Sequence, residues 1–319
     1  MDGPTEFGAL VERGDASFEA GDRRAAGAFY TAALNLAREG KPFDRLVAQA
    51  VLSRMGEIEK GYETHLLISL EKAGFPASEW HPRFARSLAM MTGREERPPS
   101  WERYPKQPTT YFYPDLAHEE FYDPTRWDWA DAVRSATGTI RDEAKALIED
   151  RSLFGAYVKA QADRPQGDVH GMLENDNWST FELTRRGLPA EDRIARTPET
   201  WRAISSNAPQ CKVPNRAPAV MFSLLEAGSR IPPHTGSLNA RLICHLPLIV
   251  PGNGALRVGS TVREWRYGEL LVFDDTIEHE AWNDAATDRL VLIFDIWHPD
   301  LEEVERAQIA ALFEAVDTY

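Results

Sequence analysis

The sequence predicts an α+β protein, helical in its N-terminal part and built as an antiparallel β-sandwich or jelly roll in its C-terminal part. Three observations carry this expectation. Small and apolar residues recur at helical spacing through the first ninety or so residues. A proline-rich stretch then interrupts any helix, and from about residue 217 short apolar runs alternate with turn residues. With 319 residues, 43% of them hydrophobic, the chain can bury a real core as one large domain or two modest ones.

The helical part starts with residues 6–38, whose periodic pattern breaks at Gly21 and Asp22 and so reads as two helices. Gly14, Ala26, Tyr30 and Ala33 resemble the small and aromatic positions of a tetratricopeptide repeat, in which small residues bring two antiparallel helices together around a ring. No second copy follows at the same spacing. The pair is therefore either an ordinary helical hairpin or a module that contacts a protein partner. Residues 43–74 continue the helical pattern through Leu46, Ala50, Val51, Met55 and Ile58. Pro98, Pro99, Pro105, Pro108 and Pro114, with Pro124 just beyond, mark an extended linker. We divide the chain there, into a helical region at 1–95 and a second domain at 96–319. Two helices are expected at 127–151 and near 152–161, and a last one around 301–315.

The runs APAVMFSLLEAG, ARLICHLPLIV, GELLVFDD and RLVLIFDIW are the strands of the second domain. Alternation puts Arg241, Ile243, His245, Pro247 and Ile249 on one face of the second run and a uniformly apolar set on the other. The last run repeats the theme, with Arg289, Val291, Ile293, Asp295 and Trp297 opposite Leu290, Leu292, Phe294 and Ile296. Charged groups on an otherwise apolar face need partners or a cavity. Two strands that each aim an arginine to one side suggest a cavity that binds a carboxylate. His234, after Pro232-Pro233, reads as a turn residue, and His279 lies just past a strand end. Taken singly, such histidines are ordinary surface residues. Two at strand ends of a jelly roll suit a non-haem iron with open coordination positions.

Composition narrows the partners. A formal net charge of −14 disfavours phosphate backbones and anionic lipid, so neither nucleic acid nor a membrane surface is expected. Cys211 and Cys244 are too few for a disulfide framework and read as reduced thiols. No apolar h-region follows Met1 and no uninterrupted apolar stretch is long enough to span a bilayer, so a cytoplasmic protein is expected.

The ordered motifs HTGSLNARLICHLPLIVP (234–251), RVG (257–259), the run from Trp265 to Asn283 and RLVLIFDIWHP (289–299) closely resemble the aspartyl/asparaginyl β-hydroxylase family. The likeness is dense over roughly 215–300 and weaker back to about 101, through FYPDL (112–116) and Trp178-Ser179-Thr180-Phe181. It implies a double-stranded β-helix core, jelly-roll or cupin-like, with Fe(II) as cofactor and 2-oxoglutarate and O2 as cosubstrates. By the same resemblance His234 and His279 are the iron ligands, and Arg289 and Ser223 hold the distal carboxylate of 2-oxoglutarate. His245 lies near its chelating end, Arg241 reaches the substrate's carboxylate or amide, and Trp178 lines the pocket. Two positions depart from the pattern. Gly236 stands where most 2-oxoglutarate oxygenases carry a ligating Asp or Glu, a change this family tolerates and one that in other enzymes admits a halide. Ile243 stands where some relatives carry a further arginine.

The expected activity is hydroxylation of an Asp- or Asn-type residue in a peptide or protein. The alternatives are a hydroxylase of a free or carrier-tethered amino acid or other small molecule, and an inactive barrel that serves as a binding module. Asp274, Asp275 and Glu278 either orient His279 or satisfy loop backbone.

Overall fold

The computed structural model describes residues 5–160, 165 and 171–319, in two compact units. The first consists mainly of residues up to Trp80 and from Ala311 onward; the second lies within His81–Ala310. No helix among the described residues is long and apolar enough to cross a membrane.

The first unit contains α1 (Glu6–Glu19), α2 (Arg23–Arg38) and α3 (Arg45–Lys72). Each starts at a side-chain cap, from Thr5, Asp22 and Asp44 respectively. Phe7, Val11, Ala26, Tyr30, Ala33, Ala48 and Val51 form their shared core. Gly14 is needed for the hairpin, because a Cβ there would come within 2.5 Å of the Tyr30 ring. The Tyr30 hydroxyl donates to Asp15 at 2.7 Å, and Arg54 pairs with the same carboxylate.

The second unit opens with α4 (Pro82–Met91), then an irregular stretch, then β1 (Phe121–Tyr122), α5 (Asp128–Ser135) and α6 (Thr137–Ile148). The single helix expected at 127–151 is thus two, broken at Ala136. No helix follows near 152–161. A 3-10 turn at Arg151–Leu153 leads into β2 (Gly155–Ala156), and residue 161 lies outside the described residues. Next come β3 (Trp178–Glu182), the hairpin β4 (Thr184–Arg185) and β5 (Leu188–Pro189), and the helices α7 (Glu191–Ile194) and α8 (Pro198–Asn207). The remaining strands are β6 (Val220–Leu225), β7 (Ser229–His234), β8 (Arg241–Ile249), β9 (Gly254–Val258), β10 (Thr261–Glu264), β11 (Leu271–Phe273), β12 (His279–Asn283) and β13 (Arg289–Trp297). The helix α9 (Glu303–Asp317) follows them.

These strands form an α+β double-stranded β-helix. A seven-stranded antiparallel sheet runs β1-β11-β8-β13-β6-β3-β2, and a four-stranded one runs β10-β9-β12-β7. Strand alternation decides what each face meets. Leu242, Cys244, Leu246 and Leu248, with Leu290, Leu292, Phe294 and Ile296, pack on Ala130 and Val133 of α5, Ile140, Ala144 and Leu147 of α6, and Ile204 of α8. The opposite face meets the smaller sheet, where Ile243 and Val291 join Ile231, Leu256, Val258 and Ala281. Cys244 is thereby locked in the helix-facing layer, and both it and Cys211 are buried and unpaired.

Candidate active site

One cavity of about 390 Å³ opens between the two sheets, and every residue expected to bind metal, cosubstrate or substrate lies on its wall. The smaller sheet supplies the histidines. His234 is not a turn residue but the last of β7, directly paired with His279, the first of β12. The register brings the two imidazole centroids to 4.1 Å. The Nδ1 of His234 lies 2.8 Å from the carbonyl of Pro232, and that of His279 3.1 Å from the carbonyl of Ile277. A carbonyl can only accept, so each Nδ1 carries the proton and Nε2 is the lone-pair nitrogen. Burial first, and His234 second, hold His279 down at about 3, so its ring is neutral at physiological pH. Two imidazoles, each oriented by a carbonyl behind it, form the donor set that a transition metal takes.

The larger sheet supplies the anion site. Arg289 begins β13 and is 1% exposed. Its polar surroundings are the Ser223 carbonyl at 3.5 Å and the Trp265 ring face at 4.9 Å, and its Nε has no hydrogen-bond partner. Burial depresses it to about 9, and no carboxylate among the described residues holds it up. On adjacent strands, Trp178 Nε1 donates to Ser223 Oγ at 3.0 Å. That leaves the serine proton to be donated elsewhere. His245 stacks on Trp265 at 5.6 Å and meets the edge of Phe273 at 4.9 Å. Burial, then the charge of Arg289, pushes it well below the ordinary histidine range. Its buried Nδ1 has no partner.

Arg241 also lines the cavity, but its charge is already matched. It donates to Asp295 at 2.9 Å and lies 3.5 Å from Asp275. Burial works against its charge, yet the two aspartates raise its pKa overall. Burial likewise lifts Asp275 to about 7 and Asp295 to about 6. Asp275 further explains Gly236. A Cβ at residue 236 would fall 2.1 Å from an Asp275 carboxylate oxygen, so the neighbouring turn places its carboxyl where a side chain at 236 would begin.

Two contributions escaped the sequence reading. Trp265, the stacking partner of both His245 and Arg289, sits inside a quoted motif but carried no assigned role. Residues 106–111, taken as linker, form a strap. Gln107 N donates to Thr276 O at 2.7 Å, Thr109 N to Gly236 O at 3.0 Å, and Tyr111 N to Ser237 O at 3.0 Å. The strap thus ties the turn before His279 to the turn after His234. Lys106 reinforces it through a buried pair with Asp274 at 3.2 Å. No periodicity announces such a role, because irregular backbone carries no repeat.

A separate group, His81, Glu302 and Glu305, has metal-like spacing. Glu305 is saturated there by His81 at 2.9 Å, Arg83 at 2.6 Å, the Tyr113 hydroxyl at 2.6 Å and the Glu302 amide at 2.8 Å. This is a structural knot with its acceptor capacity already used.

The sequence matches the family described as aspartyl/asparaginyl beta-hydroxylase over residues 134–299. It is 35% identical over 218 residues to the mouse protein named aspartyl/asparaginyl beta-hydroxylase, covering 66% of this chain and 27% of that one. The human protein of that name is 29% identical over 220 residues, at 66% and 26% coverage. The ornithine lipid ester-linked acyl 2-hydroxylase of Rhizobium tropici is 33% identical over 190 residues, at 59% and 63% coverage. The match thus spans about a quarter of the length of the two mammalian relatives.

Proposed function

Because the chain belongs to the aspartyl/asparaginyl β-hydroxylase family, we propose that it is a hydroxylase dependent on Fe(II), 2-oxoglutarate and O2. One observation carries the reading: a buried arginine with no carboxylate partner among the described residues shares a cavity with two carbonyl-oriented histidines. His234 and His279 would hold the iron through Nε2. Bound there with 2-oxoglutarate, the metal supplies the O2 chemistry that oxidatively decarboxylates the cosubstrate and hydroxylates a C–H bond.

The remaining work falls to the chain. Arg289 pairs with the distal carboxylate of 2-oxoglutarate, an anion that balances its charge and matches the fork of its guanidinium. The Ser223 hydroxyl, fixed by the Trp178 indole, donates its proton to the same carboxylate. Neutral His245 packs beside the cosubstrate without adding a second cation. Asp275 supplies a carboxyl beside the glycine that cannot ligate. The apolar walls exclude water around the reacting carbon.

The names of the mammalian relatives favour a peptide, protein or amino-acid-like substrate, with an Asp- or Asn-type residue as the group modified. An acyl or other small-molecule substrate is the second reading, favoured by the apolar cavity walls and by the Rhizobium relative. Anaerobic titration with Fe(II) and 2-oxoglutarate tests the core of the proposal. Wild type is expected to develop the weak visible charge-transfer band, and His279→Ala to lose it. A wild type that gives no band and retains no metal by elemental analysis would make the barrel a binding module instead.

A further inference from the structure

The indole of Trp265 joins the two sheets at the anion end of the cavity. The residue follows β10, and its amide donates to the Gly254 carbonyl of β9 at 3.1 Å, so its backbone belongs to the smaller sheet. Its side chain is 4% exposed and lies behind two cavity-lining residues of the larger sheet. His245 of β8 stacks on the ring at 5.6 Å with the planes 25° apart, and the Arg289 guanidinium of β13 lies over it at 4.9 Å. Trp265 Nε1 donates to the Trp282 carbonyl at 3.4 Å. Trp282 stands on β12, the strand that begins with His279. The seat leaves no slack. A Cβ on Gly254 would fall 3.1 Å from Cδ1 of the indole and 2.8 Å from that same carbonyl.

From this we infer that Trp265 is a positioning residue that sets the length of the 2-oxo diacid the cavity accepts. The inference rests on the hydroxylase reading above, in which the diacid spans from the histidine pair to Arg289. An arginine head sits on a flexible stem and shifts along it unless something stops it. Here the indole face stands behind the guanidinium and holds its plane through a cation–π contact. The Ser223 carbonyl, at 3.5 Å, is at the outer limit of a hydrogen bond and holds it less firmly. Because the indole is seated against the backbone of the strand that carries His279, one rigid side chain fixes the gap between the two ends of the diacid. A ring smaller than indole, or no ring, leaves room behind Arg289. The guanidinium then settles back, and a diacid one methylene longer fits. Trp265 acts through Arg289 and His245 rather than on the diacid itself.

The test titrates the full chain, loaded anaerobically with Fe(II), with 2-oxoglutarate and with 2-oxoadipate, and follows the visible charge-transfer band. Both diacids chelate through the same 2-oxo carboxylate end, so the ratio of their dissociation constants reports the distal end alone. Wild type is compared with Trp265→Phe and Trp265→Leu. One methylene is worth about tenfold or more in a fitted pocket, so Trp265→Leu should move the ratio toward 2-oxoadipate by about that factor. Trp265→Phe keeps an aromatic face and should move it the same way by less, about threefold, while losing less affinity for 2-oxoglutarate. Fe(II) affinity without diacid, read by competition with a chromophoric chelator, should stay that of wild type. Where Trp265→Leu does not fold, Trp265→Phe decides the matter. A ratio unchanged in Trp265→Phe overturns the inference, as does equal weakening of both diacids, which would make the indole structural. If wild type forms the band and the variants keep its ratio, the inference fails and the hydroxylase reading stands. If wild type forms no band with either diacid, both fall.

Discussion

A guanidinium that is 1% exposed, with one backbone carbonyl at 3.5 Å and an indole face at 4.9 Å, is an unbalanced charge among the described residues. Buried charges without partners cost stability, so such a group is retained for what it binds. Arg289→Met should therefore weaken 2-oxoglutarate binding by about 2–5 kcal/mol, the usual loss when one partner of a buried ion pair is truncated. The same change should leave thermal stability equal or higher, because the unpaired charge goes with it. Calorimetry beside the cosubstrate titration checks both halves; a large fall in melting temperature would make the arginine structural. Gly236 makes a second residue-scale case. Gly236→Ala forces its methyl onto the Asp275 carboxyl and should cost about 1–3 kcal/mol. Asp275→Ala in the same chain should recover most of that loss. A double-mutant cycle by urea unfolding reads the coupling, and strictly additive costs would refute the close approach.

The strap at 106–111 shows how an irregular element builds a site from two turns that are far apart in sequence. Its amides fix the carbonyls of Thr276, Gly236 and Ser237, while Lys106, 7% exposed at its side chain, faces the fully buried carboxylate of Asp274. Asp274 in turn accepts from the Thr276 amide at 2.9 Å and shapes the turn that leads to His279. Lys106→Met strands this carboxylate and should destabilise the protein by about 3–5 kcal/mol. It should also weaken metal binding, because the two histidine turns lose a shared tether. Lys106→Met/Asp274→Asn should recover stability without full metal affinity. A single variant with unchanged unfolding midpoint and unchanged Fe(II) titration would show the strap to be passive.

At the scale of the whole molecule, buried titratable groups set how folding depends on pH. His279 sits at about 3 against an ordinary 6.5, so between those values the unfolded chain takes up a proton that the folded chain refuses. The contribution of this residue to stability is therefore lost as pH falls from 6.5 toward 3, by at most about 1.4 kcal/mol per pH unit. Asp275 and Asp295, lifted from 3.8 to about 7 and about 6, act with the opposite sign. The folded state binds more protons there, and stability from these groups declines as pH rises from 3.8 to about 7 for Asp275 and to about 6 for Asp295. A difference between proteins isolates the histidine: metal-free wild type should lose stability relative to His279→Gln on moving from pH 7 to pH 5. Parallel pH profiles of the two in urea unfolding would refute the assignment.

The jelly-roll pattern of strands and the helical hairpin around Tyr30 were legible in the sequence, because each follows from a short-range rule; the two histidines stood out only through the order of the motifs around them. Alternation along 241–249 and 289–297 separates a helix-facing apolar layer from a cavity face, and Gly14 opposite Tyr30 marks a close helix approach. The order of the motifs pointed to the hydroxylase family, and the family match over 134–299 agrees. What the sequence could not decide was which charges are matched. Arg241 and Arg289 look alike along their strands, each heading an apolar run. Only the register of β8 against β13, which sets Ile243 opposite Asp295, brings Arg241 to its carboxylate, while Arg289 has none among the described residues. The break at Ala136, the strap at 106–111 and the approach of Asp275 to Gly236 were likewise settled in three dimensions. Pairing, neutralisation and steric fit are relations between segments far apart in the chain, and local periodicity holds no information about them.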